Sequence, residues 1–113
     1  MKSDELESAY ALIREFNDGQ FKADSLINDQ QEKLIKLLCQ DLLPNTEFSL
    51  DRIGSIIEDI ATADTLWNRK SQNVINEIYT FLGEKKPIQA EECRNSFIRD
   101  CPSLWYRKIV ESV

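Results

Sequence analysis

The side chains of this chain that could do chemistry are twenty carboxylates, fourteen lysines and arginines, and three thiols; histidine is absent. Without imidazole the commonest general base near neutral pH is missing. Ser-His-Asp and Cys-His catalysis, histidine metal ligation and a histidine pH switch go with it. Carboxylate chemistry remains. A glycosidase needs two inward acids, and twenty acids always offer some pair, so their number singles out none. Magnesium held by acids such as Glu58 and Asp59 is the other route. Neighbours on a helix point about 100° apart, however, and chelate poorly together. No helical segment has the ExxxD-like or ExxH-like inward set of carboxylate metal bundles. Cys39, Cys93 and Cys101 are odd in number and form no CxxC, which speaks against a disulfide framework or a zinc site. Cys39 and Cys93 stand among apolar residues and read as small buried hydrophobes. Gly19, Gly54 and Gly83 are isolated, so no glycine-rich loop cradles a phosphate. The expectation is a protein that is not an enzyme, with no catalytic residue, metal or cofactor.

Charge is the stronger signal. The net charge of -6 opposes nucleic-acid binding through phosphate contacts, and it is unevenly spread. Residues 1–64 hold 14 acids and 6 bases, a balance of -8, whereas residues 65–113 hold 6 acids and 8 bases, a balance of +2. Within 41–64 the acids Asp41, Glu47, Asp51, Glu58, Asp59 and Asp64 face Arg52 alone. A solvated face that keeps the protein soluble explains such a run. A docking surface for a basic partner explains it too, because clustered carboxylates steer cationic partners and can take the place of phosphates in a cationic groove. Glu47, Asp51, Glu58, Asp59 and Asp64 are the candidate contacts. Trp67 is a candidate aromatic anchor beside them, although it and Phe48 serve a core edge equally well. The run Trp105-Tyr106-Arg107-Lys108 interleaves aromatics with bases in the manner of nucleic-acid surfaces, but four residues on one turn are a poor match and Trp105 is better used in a core.

Helices must position all of these. Ser3 is a suitable cap for a first helix over 4–17, with a stripe of Leu6, Ala9, Tyr10, Ile13 and Phe16 at three- and four-residue steps. Gly19 suits a left-handed stop. A short helical piece is expected at Phe21 to Ile27. Asp29 to Glu32 reads as a capping box for an apolar helix carrying Leu34, Ile35, Leu37, Leu38, Leu42 and Leu43 and stopped by Pro44. Ser49 caps a helix over 50–63 with Ile53, Ile56, Ile57 and Ile60. Asp64 caps another over 65–82 with Trp67, Val74, Ile75, Ile78, Tyr79 and Leu82, ended by Gly83. A helix over 88–99 presents Cys93, Phe97 and Ile98. A last one has Pro102 in its first turn and buries Leu104, Trp105, Ile109 and Val110. The expected fold is an all-α bundle of five to six short helices in one domain, 1–113. Helices this short, broken by Pro and Gly, exclude a sustained coiled coil. No apolar run spans a bilayer, and the acidic opening is unlike a signal peptide, so a cytoplasmic protein without membrane contact is expected.

The segment Phe16-Asn17-Asp18-Gly19-Gln20-Phe21-Lys22-Ala23 is similar to the helix-turn-helix start of some helical bacterial immunity proteins, the antidotes to colicin-type and contact-dependent growth-inhibition toxins. Length, acidity, helicity and the lack of histidine agree with that class. The resemblance implies tight binding to a cognate toxin, typically a nuclease domain, over or beside its active site. The alternative is a non-enzymatic helical interaction module or regulatory adaptor, including a phage-encoded inhibitor, that uses an apolar groove more than charge.

Overall fold

Five helices account for most of the chain in a computed structural model that describes residues 2–19 and 28–113, with side chains from Glu5 onward. They are α1 (Lys2–Asn17), α2 (Asp29–Leu42), α3 (Ile53–Gly83), α4 (Pro87–Asp100) and α5 (Leu104–Glu111), with a 3₁₀ turn at Leu50–Arg52 before α3. No strand occurs among the described residues, and the all-α class stands. The expected piece at Phe21 to Ile27 lies outside the described residues. No described helix is long and apolar enough to cross a membrane. Tertiary contacts cluster into two units, Met1–Asp64 and Thr65–Val113, with the division inside α3.

In the first unit α1 packs on α2. Leu6, Ala9, Tyr10, Leu12 and Ile13 of α1 and Leu34, Ile35, Leu38, Cys39 and Leu42 of α2 are buried, as are Ile56, Ile57, Ile60 and Ala61 of α3. The Tyr10 hydroxyl donates to Asp41 Oδ2 at 2.7 Å and ties the two helices at a half-buried site. Helix α1 begins at Lys2, so Ser3 lies inside it. Gly19, at φ 82°, takes the expected left-handed stop.

The capping box of α2 sits one residue earlier than the sequence suggested. Asn28 Oδ1 accepts from the Gln31 amide at 2.8 Å, and Gln31 Oε1 accepts from the Asn28 amide at 3.1 Å. Asn and Gln satisfy the motif as well as Asp and Glu. This register places Asp29 and Glu32 outside the capping box in the first turn, against the positive end of the helix dipole.

The largest departure is α3. Two helices separated by an Asp64 cap were expected, and one 31-residue helix is found. No proline or glycine interrupts Ala61 to Phe81, so nothing outweighs the hydrogen bonds gained by continuing. The helix ends differently as well. Gly83 is its last residue, and the left-handed position is taken by Lys85 at φ 61°. The Lys86 amide donates to Phe81 O at 2.8 Å and the Lys85 amide to Leu82 O at 3.1 Å, a Schellman closure.

In the second unit α4 packs on α5 and on the second half of α3, where Trp67 meets Phe97 edge-to-face with centroids 5.8 Å apart. Ile78, Ala90, Phe97, Cys101, Tyr106 and Val110 are buried. Pro87 opens α4 at its first turn. Helix α5 is capped by Ser103, whose Oγ accepts from the Tyr106 amide at 3.2 Å; Pro102 therefore precedes the helix and is not inside it. With that start, Tyr106 and Val110 face inward, Trp105 is half-buried, and Leu104 and Ile109 are exposed. Of the expected stripe, Val110 is buried and Trp105 half-buried, whereas Leu104 and Ile109 give way to Tyr106. Arg94 Nη2 donates to Val113 O at 2.6 Å and stitches α4 to the end of the described chain.

Candidate functional site

The expected acidic contacts divide by burial. Glu47 lies in the loop before the 3₁₀ turn, Asp51 in that turn, and Glu58 and Asp59 on the outer side of α3; all four are exposed. None forms an ion pair among the described residues. Arg52, the lone base of the window, donates from Nη2 to the main-chain oxygen of Glu47 at 3.2 Å and leaves the carboxylates uncompensated. Asp51 lies in the 3₁₀ turn that leads directly into α3 and therefore precedes the α-helix that carries Glu58.

Asp64 is a correction. It is 4% exposed and not free there, and it cannot offer a carboxylate to a partner at the surface. The reason is the continuous helix. Steps of three and four from Ile57 through Ile60 lead to Asp64, then to Trp67, Ser71, Val74, Ile78 and Phe81, so Asp64 falls on the inward stripe. Ser71, seven residues on, is buried on the same stripe and satisfies its hydroxyl on Asn68 O at 2.8 Å.

Trp67 belongs to the second unit, whereas the acids belong to the first. It is half-buried between Phe97 and Lys70, whose Nζ stands 4.7 Å from its ring centroid. Phe48 is half-buried too, with Lys36 Nζ 5.6 Å from its centroid. Both aromatics are core-edge residues carrying a cation on one face. The aromatic-basic run of α5 is divided as well, with Tyr106 buried and Arg107 half-buried, its Nε donating to Ser103 O at 3.4 Å.

The structure also shows a feature that the sequence reading did not assemble. A groove of about 560 Å³ runs between α3 and α4 in the second unit. Its α3 wall is Trp67, Lys70, Asn73, Val74, Glu77 and Phe81; its α4 wall is Gln89, Glu92, Cys93, Ser96, Phe97 and Asp100. Trp67, Val74 and Phe81 recur every seven residues inside the helix expected over 65–82, a signal visible in the sequence although Phe81 was not counted in that helix's apolar stripe. Cys93, expected buried, is only partly so, and its thiol hydrogen-bonds Glu77 Oε2 at 3.7 Å. Desolvation, then the carboxylates of Glu77 and Glu92, raise the Cys93 thiol above the ordinary range, which makes it a poor nucleophile at neutral pH. Cys39 is raised by burial alone. Among the described residues no three acids, cysteines or histidines are grouped to hold a metal ion.

Comparison with family models, curated proteins and solved structures finds no match to this chain. What the two surfaces can do follows from their chemistry. The first unit offers four exposed carboxylates, Glu47, Asp51, Glu58 and Asp59, without an ion pair among the described residues, suited to long-range attraction of a cation. The second offers a half-open apolar cleft with a carboxylate-rich rim, suited to a shaped occupant.

Proposed function

We propose that the chain is a non-enzymatic cytoplasmic inhibitor of the immunity-protein kind. It binds a basic cognate toxin, with a nuclease domain as the expected target, through the acidic surface of its first unit. The observation that carries this reading is that Glu47, Asp51, Glu58 and Asp59 are exposed and form no ion pair among the described residues, in a unit of net charge -8. Such a surface repels itself in isolation and is relieved by a cationic partner. It accelerates encounter about 10-fold or more, with strong salt sensitivity. Arginines and lysines that grip phosphates in a nuclease would be matched by these carboxylates.

The test begins with co-purification from the native operon, where a stoichiometric basic protein is expected. Affinity is then measured at low and high salt for wild type and for the triple variant D51K/E58K/D59K. Binding weakened by about 10-fold or more in the variant, with a shallower salt dependence, supports the acidic surface. Equal affinity removes it from the reading. The second reading, a helical adaptor that docks through apolar surface, is favoured by the cleft between α3 and α4. It expects a partner held mainly by apolar contact, whose binding falls less steeply with salt than that of the acidic surface.

A further inference from the structure

Helix α3 carries two inward columns at heptad spacing in the second unit, and they meet different fates. The column of Ser71 and Ile78 is buried. The column of Trp67, Val74 and Phe81 is half-buried and lines the groove opposite Cys93 and Phe97 of α4. Packing of helix on helix at this period needs both columns covered; here one is covered by the unit's own core and the other faces an open cleft. From Trp67 to Phe81 the column runs about 21 Å at 1.5 Å per residue, close to four turns of a facing helix. A cleft of about 560 Å³ has room for a row of inserted apolar side chains.

The rim sets the charge of the occupant. Glu77, Glu92 and Asp100 border the cleft; Asp100 is paired with Arg99 Nε at 3.3 Å, which leaves Glu77 and Glu92 as the acids without an ion pair among the described residues, and Lys70, the one cation among the described lining residues, is placed over the Trp67 ring. We propose that this groove is a docking site for a basic amphipathic helix of a partner protein. Its apolar residues would repeat at three- and four-residue steps into the column of Trp67, Val74 and Phe81, and its lysines or arginines would meet Glu77 and Glu92. Helix-in-groove recognition reads such i, i+3, i+4, i+7 anchors. This site is carried by the second unit and stands whether or not the acidic surface of the first unit binds a toxin.

The probe is a labelled, end-blocked peptide of about 14 residues, with leucine along one heptad stripe and lysine elsewhere, followed by fluorescence anisotropy against the full chain. A scrambled peptide of the same composition keeps charge and hydrophobicity but loses the stripe; a leucine–glutamate peptide keeps the stripe but reverses the charge. Saturable binding of the first peptide is expected, about 10-fold weaker for the scrambled one and absent for the acidic one. E77K/E92K, both at solvent-exposed positions, should weaken binding about 10-fold, whereas E7K/E15K on α1, with the same charge change, should not. V74R should block the cleft sterically, with circular dichroism confirming the helix content. Equal binding of the scrambled peptide, no binding of the leucine–lysine peptide, or indifference to both groove variants overturns the proposal. Sensitivity to D51K/E58K/D59K in place of E77K/E92K moves the peptide to the first unit's surface and overturns it too. A homodimer in light scattering that V74R disperses would show that a second copy of this chain, not a basic partner, fills the groove.

Discussion

Lys85 holds a left-handed backbone, φ 61°, that an L side chain adopts at a cost of about 1 kcal/mol and glycine adopts without it. K85G should therefore raise stability by about 1 kcal/mol in chemical denaturation, a gain that disappears if the Schellman closure at Lys85 and Lys86 is wrong. The same turn shows why residue type alone misplaced the helix end. Gly83 was the natural stop by composition, but the chain closes two residues later, where the Phe81 and Leu82 carbonyls find their donors. Cys93 has a chemical signature of its own. Its raised pKa predicts slow modification by thiol reagents near neutral pH, and E77Q, which removes the nearest carboxylate charge, should speed it several-fold. The linkage has a definite sign. Cys39 and Cys93 both have folded-state values above the ordinary thiol value, so their contribution is fully present below about pH 9 and is lost as pH rises through the folded values. Melting temperature should decline in that alkaline range.

At the scale of elements, α3 is the informative case. The period of Ile53, Ile56, Ile57 and Ile60 was plain in sequence, and so was that of Trp67, Val74 and Ile78; their phase continues unbroken through Asp64. A cap assignment rests on side-chain type, but a helix breaks only where the backbone gains more by stopping. Ala63-Asp64-Thr65-Leu66 offers no proline or glycine. Thr65 separates the two descriptions. Proline there would be welcome as the first residue of a new helix, but in the interior of a continuous one it removes a hydrogen bond and clashes with the preceding turn. T65P should cost about 3 kcal/mol or more by urea unfolding; a near-neutral effect would restore the two-helix description. The α5 register makes the same point. Pro102 marked the region correctly, but Ser103 makes the capping hydrogen bond, and that start turns Tyr106 inward and leaves Leu104 exposed.

At the scale of the whole molecule, the boundary between the two units falls between Asp64 and Thr65, where the charge balance changes from -8 to +2. The first unit carries the self-repulsion. Added salt screens it over a Debye length of about 10 Å at 0.1 M, so melting temperature should rise with ionic strength between low and moderate salt. D51K/E58K/D59K should flatten that rise, because it brings the first unit close to neutrality. A salt response unchanged in the variant would show that the charges at Asp51, Glu58 and Asp59 do not dominate the field.

Sequence alone determined the helical class, because three- and four-residue periodicity without strand alternation leaves no other way to bury the apolar residues. It also determined where negative charge concentrates, since charge is a sum over residues and needs no fold. Tertiary structure decided the rest. It buried Asp64 while leaving Glu47, Asp51, Glu58 and Asp59 exposed, and it placed Trp67 in a different unit from them. It also made a groove from two walls eight to thirty-three residues apart in the chain. The physical reason is common to all of these. Burial and juxtaposition depend on the rotational phase of each helix and on which neighbour covers it, and phase accumulates over a 31-residue helix in a way that local cap and breaker signals do not encode.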